Sequence, residues 1–240
     1  MDLLALLSVG LFVGMGHAFE ADHLAAVSTM LNDENSRRAA IRRGMFWGLG
    51  HTLSLFLICS VVVLLGLSIS TKMESALELA VGLMIVALGA RLLWSMRRSG
   101  VHVHGHKHGD EHHIHMHHHT DELSQNHDNH HSQKARRNNL KALAIGLMHG
   151  AAGSAGLLAL MVASVQGIAG ALLYFTVFGF GSIVGMAMIS AVASYPLGLL
   201  QKGSSWMRLA TSGAIGAGAI YIGASLAISA ISELPDSGFW

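Results

Sequence analysis

The sequence predicts an all-α integral membrane protein: six transmembrane helices in a 3+3 inverted repeat, with both the N-terminus and the C-terminus outside. Three observations lead there. Hydrophobic residues make up 52% of the 240-residue chain and charged residues only 12%, a balance that belongs to lipid rather than water. Six apolar stretches are long enough for hydrocarbon about 30 Å thick. The polar and glycine landmarks of the first half also recur in the second.

The expected helices cover about 3–31, 44–68, 75–96, 142–165, 167–195 and 209–231. The first is read as a retained span: the first basic residue of the chain is Arg37, beyond it, and Glu20 and Asp22 interrupt it, unlike a secretory signal with a charged start. The fourth and fifth run through 142–201 without an Asp, Glu, Lys or Arg, and are divided at Ser164–Gly167 by length and a weak turn signal. Arg91 and Glu78, near the ends of the third, read as interfacial.

Orientation follows from the basic residues, which are retained on the cytoplasmic side of short loops. Alternation from an external N-terminus puts all of them inside except Lys72.

The repeat aligns Gly14 and His17 with Gly146 and His149, and Asp22 with Ser154. In the second pair of helices Gly48 and His51 match Gly179 and Ser182; in the third, Gly82 and Gly89 match Gly216 and Gly223. Three spans per unit insert the second unit upside down, an arrangement that builds a midplane site in many secondary transporters. The organisation is therefore 1–98 as the first repeat, 99–140 as a cytoplasmic loop and 141–240 as the second repeat.

Within the spans, ionisable residues are costly and mark a working site. Asp22, His23, His51 and His149 fall at one depth. His17 lies roughly 9 Å further from the cytoplasm if its helix stays regular, and about 120° out of line with His23, so the two face one ion only if the backbone breaks between them. A single intramembrane histidine is as readily hydrogen-bonded structure as ligand; four such groups in one layer favour a polar pathway. Imidazole with carboxylate suits divalent nickel, cobalt or zinc, whereas copper(I) prefers sulfur and magnesium or calcium oxygen. The thirteen methionines read as packing. Cys59, the single cysteine, can form neither an internal disulfide nor a Cys-rich metal site.

The segment HAFEADH, His17 to His23, resembles the His-x4-Asp-His signature of the nickel/cobalt transporter family. Gly48-Leu49-Gly50-His51-Thr52 is similar to that family's Leu-Gly-His-Ser/Thr segment, and His149 to Ser154 to the short UreH-like branch of urease-accessory membrane proteins. The resemblance implies a nickel or cobalt permease in which His17, Asp22 and His23 handle the ion, joined here by His51 and His149, with Glu20, Thr52, Ser154 and Ser182 in support. Longer family members have eight spans and an acidic segment in the second half, where this chain has Gly153 and Ser154.

Thirteen of the seventeen histidines lie between His102 and His131, a composition that points to metal binding. His102, His104, His106, His108, His112, His113, His115, His117, His118 and His119 are its densest part, in a segment too poor in apolar residues to order itself. The alternative is a dispensable linker.

These features predict an inner-membrane, multi-pass carrier that is not an enzyme. It would hold no permanent cofactor, and would take up Ni²⁺, or Co²⁺ or Zn²⁺, for metalloenzyme maturation. Its partners would be the ion, lipid and a cytoplasmic metallochaperone or urease-type maturation factor, with no nucleic acid. Uptake needs no ATP site, since no P-loop is present and a membrane potential pulls a dication inward by about 4.6 kcal/mol per 100 mV. The rival readings are an efflux carrier that uses the loop as collector and, in another class, a membrane haem or redox protein. The His-Glu-x-x-His spacing of a metalloprotease is absent.

Overall fold

The structure is a computed structural model that describes residues 3–32, 34, 36–67, 69–98, 103–108, 111–116, 127–152 and 167–234. Its helices are α1 (Leu3–His17), α2 (Ala21–Leu31), α3 (Arg37–Leu65), α4 (Thr71–Arg98), α5 (His127–Ala152), α6 (Ile168–Lys202) and α7 (Ser205–Glu233), with strands β1 (Val103–His108) and β2 (Glu111–Met116) between α4 and α5. Among the described residues, α3, α4, α6 and α7 are long and apolar enough to cross a membrane, and α1 contains a shorter apolar helix. Large side chains such as Phe12, Leu57, Leu64 and Phe180 lie on the outside of the bundle, as expected where lipid is the solvent.

The expected helix over 3–31 is two helices. Phe19 N–H bonds to the Gly16 carbonyl at 2.9 Å and Glu20 N–H to that of His17 at 3.2 Å, so α1 closes on tightened i to i−3 bonds. Glu20 is extended and serves as the N-cap of α2. A backbone interruption at membrane depth is tolerated where protein or a water-filled cavity surrounds it.

The second expected helix begins earlier than its apolar stretch, at Arg37, because the Ser36 hydroxyl accepts from Ala39 N–H and caps it. It ends at Gly66, whose φ of 61° suits a residue without Cβ. Helix α5 likewise starts at His127, inside the segment assigned to the loop; the remainder of the expected 142–165 helix lies outside the described residues. The backbones of 103–108 and 111–116 form an antiparallel pair with His104 opposite His115 and His106 opposite His113.

Small residues set the packing. A Cβ on Gly82 would come within 2.7 Å of the Gly223 carbonyl oxygen, and one on Gly223 within 2.6 Å of that of Gly82; Gly89 and Gly216 face each other similarly. Helices α4 and α7 thus run antiparallel at backbone contact, the close approach that glycine permits in lipid. The other contacts also come in pairs. Gly14 abuts the Phe178 carbonyl while Gly146 abuts that of Trp47, and Gly50 abuts the Leu143 carbonyl while Gly181 abuts that of Leu11. The Thr52 hydroxyl donates to the Gly179 carbonyl at 3.0 Å, and Gly48 lies against Ile183. The loop between α2 and α3 is held by Arg43, which donates to the Met30 carbonyl and pairs with Glu34.

Candidate metal centre

The break between α1 and α2 carries four of the polar residues, and its geometry follows from their sequence order. With α1 closed at His17 and α2 opened at Ala21, His17 no longer lies a turn and a half above His23. Their ring centroids are 4.6 Å apart, which corrects the axial separation expected of a regular helix. His51 enters from α3, with ring centroids 5.1 Å from His17 and 5.3 Å from His23. His149 enters from α5, at 4.1 Å from His23.

Carboxylates fix the imidazoles. An ionised carboxylate only accepts, so the ring nitrogen facing it carries the proton. His17 Nδ1 donates to Glu20 Oε1 at 2.6 Å, His23 Nδ1 to Asp22 Oδ1 at 2.9 Å and His149 Nε2 to Asp22 Oδ2 at 2.7 Å. Asp22 Oδ1 also accepts from the His23 backbone N–H at 2.8 Å. The opposite nitrogens, His17 Nε2, His23 Nε2 and His149 Nδ1, are buried without a hydrogen-bond partner, as are both nitrogens of His51. A carboxylate behind an imidazole, with the far nitrogen left as a lone pair, is the arrangement that prepares histidine to ligate a metal.

Two donor groups result. His17, His23 and His51 offer one ligand atom each, all within 4.8 Å of one another, and Asp22, His23 and His149 do the same. Two donors around a tetrahedral ion with bonds near 2.0–2.1 Å are about 3.3 Å apart, so His17, His23 and His51 need only small side-chain movements to close on an ion, whereas an ion held by Asp22, His23 and His149 must replace the imidazole protons that point at the carboxylate. His23 belongs to both. The surroundings are dry, for His23, His51 and His149 are at most 2% exposed. Buried imidazole nitrogens without partners are expensive as plain structure. Nitrogen donors with carboxylate fit a borderline divalent cation as cargo.

The remaining expected residues divide. Glu20 supports His17; Thr52 is engaged in helix packing through Gly179. Ser182 is buried with its hydroxyl unpartnered and joins neither donor group. Ser154, His102, His117, His118 and His119 lie outside the described residues. His104, His106, His108, His112, His113 and His115 are placed on the two strands by backbone alone.

Two residues escaped the sequence reading. Trp47 is fully buried, its ring 5.5 Å from that of His23 and 6.1 Å from that of His149; its place four residues before His51, on the same helix face, was the available signal. Glu78, read as interfacial, lines a cleft of about 520 Å³ together with His17, Asp22, His23 and His149.

Comparison with known proteins gives two matches. Residues 3–232 match the family model NicO, described as high-affinity nickel-transport protein. The "Urease accessory protein UreH" of Bacillus sp. (strain TB-90) is 31% identical over 199 residues, which cover 83% of this chain and 80% of that protein. No solved structure matches the chain.

Proposed function

The chain belongs to the NicO family of high-affinity nickel-transport proteins, and from that premise we propose that it is a secondary carrier that admits Ni²⁺, or Co²⁺, to the cytoplasm. A membrane metal transporter of this family is not an enzyme, and its ion is substrate rather than cofactor. The observation that carries the proposal is the sharing of His23 between two three-donor groups built from α1, α2, α3 and α5.

In this reading His17, Asp22, His23, His51 and His149 receive the ion. Asp22 supplies negative charge and orients His23 and His149, while Glu20 orients His17. His23 belongs to both groups, and an ion that moves from His17, His23 and His51 toward Asp22, His23 and His149 exchanges two ligands and displaces the protons that His23 and His149 direct at Asp22. Partial ligand exchange keeps the ion coordinated throughout and avoids a bare dication in a low-dielectric interior. The potential across the membrane supplies the inward drive.

The paired glycine contacts support the inverted repeat. If Gly14 corresponds to Gly146 and Phe178 to Trp47, a two-fold axis in the membrane plane turns one contact into the other; the same operation exchanges Gly50–Leu143 with Gly181–Leu11. The basic residues favour external termini and an inner membrane of multi-pass type. Residues 1–98 and 141–240 are then the two repeats, and 99–140 is a cytoplasmic segment whose histidines buffer the arriving ion before a metallochaperone or urease-type maturation factor collects it. The name of the UreH relative supports that destination.

The test is radiometal flux in sealed vesicles of both orientations, with wild-type chain and the His23→Ala variant. Inward movement of Ni²⁺ that His23→Ala abolishes at equal protein level is expected. Movement only outward would make the protein an efflux carrier, and no movement in either direction would refute the carrier reading.

A further inference from the structure

The cleft beside the histidines has a second wall that plays no part in the centre just described. Helix α7 contributes Tyr221, Ser225 and Ser229 to it. Their i, i+4, i+8 spacing puts three hydroxyl groups on one face, exposed along a helix whose most apolar 18-residue stretch has a mean hydropathy of 1.8. Facing them, α4 contributes Glu78, whose charged neighbours are the carboxylates of Glu233 and Glu74. A carboxylate inside a span, among other carboxylates, is costly against hydrocarbon and is stable against water or a cation. The cleft reaches His23 and His149, which are nearly fully buried and each present a ring nitrogen without a partner. Trp47, which packs beside His23 and His149 and does not line the cleft, belongs to one apolar cluster with Ala26, Val27, Leu31 and Met186.

We propose that this cleft is the aqueous entrance, and that Glu78 with the hydroxyls of Ser225 and Ser229 forms an outer binding position for a hydrated divalent cation. The inference rests on the carrier reading and its orientation. Oxygen donors suit an ion that still keeps its water, whereas the nitrogen-rich centre beyond suits one that has shed it. A negative cleft between low-dielectric walls also concentrates cations and speeds their arrival. The ion therefore meets oxygen first and nitrogen second.

Two experiments on the full chain test this. Ser225→Cys and Ser229→Cys are treated, in intact cells, with a cationic, membrane-impermeant thiosulfonate; buried Cys59 is the native background. Both introduced thiols are expected to react from outside, to lose on reaction the uptake that remains after the loss of a hydroxyl, and to be protected by Ni²⁺. Ile228→Cys, exposed on the same helix but outside the cleft, is expected to stay unmodified. In the second experiment, Glu78→Gln raises the KM of uptake about tenfold with little change in maximal rate. Thiols at 225 and 229 that ignore the reagent, or an unchanged KM, would overturn the entrance. If His23→Ala still abolishes flux in that case, the carrier reading survives alone; a wild-type chain that moves no metal removes both.

Discussion

Asp22 Oδ2 accepts a hydrogen bond from His149 Nε2 at 2.7 Å, across 127 residues of chain. A carboxylate at the start of α2 thereby sets the tautomer of an imidazole on α5. Asp22→Asn keeps the shape but removes the charge and turns one acceptor into a donor that opposes the imidazole N–H. Loss of such an orienting partner lowers metal affinity about 10–100-fold. Equilibrium dialysis of Ni²⁺ against purified wild-type and variant protein checks this, with unchanged melting as the sign that folding is intact. Equal affinities would remove Asp22 from the site.

Acid should empty the centre. A ligating imidazole must be neutral, so metal and proton compete for the same lone pair. Binding is therefore strong at neutral pH and is lost on acidification, at a pH set by the competition between metal and proton for the buried lone pairs. Calorimetry in buffers of different ionisation enthalpy should also show protons released as Ni²⁺ binds. Binding that acid leaves untouched and that releases no proton would exclude histidine coordination.

The polar residues of the centre were legible in the sequence because lipid makes them conspicuous: His17, Asp22, His23, His51 and His149 stood out against apolar neighbours, and the need for a break before His23 followed from helical geometry. Its position was not legible, since Ala18-Phe19-Glu20 contains neither Gly nor Pro and the turn is set by tertiary packing. Glu78 shows a related limit. Nearness to a helix end suggests an interfacial anchor, and the packing of α4 beside α7 adds that the residue lines the same cleft as the histidines. The starts of α3 and α5 were placed too late because polar residues outside the apolar stretch continue each helix, an extension that hydropathy does not detect.

Gly14→Ala and Gly146→Ala are expected to destabilise the bundle alike. In each, the new methyl group overlaps a backbone carbonyl, that of Phe178 or that of Trp47, and backbone can yield only by moving a helix. Overpacking of this kind costs about 1–3 kcal/mol. Gly218→Ala is the control: no atom lies within 4 Å of its Cβ position, and alanine favours a helix over glycine by about 1 kcal/mol. Thermal unfolding in detergent should place both packing variants below wild type and the control at or slightly above it. A Gly14→Ala protein as stable as wild type would contradict the close contact of α1 with α6.

The two donor groups share His23 and differ in their other members, which gives a pattern of losses that a single fixed site would not produce. With residues 102–131 removed, so that the loop histidines contribute nothing, the chain should still bind one Ni²⁺. His51→Ala leaves Asp22, His23 and His149 in place, and His149→Ala leaves His17, His23 and His51, so each single variant retains one ion with weakened affinity. The double variant has lost a ligand from both groups and His23→Ala has done so with one substitution; both should fail to hold the metal. Transport separates the groups further, because an ion that must pass through both is stalled by either single change although it still binds. Titration of the four variants, with vesicle flux on the same preparations, reads both quantities. If His23→Ala binds one ion as tightly as the parent chain, the shared-ligand centre is wrong.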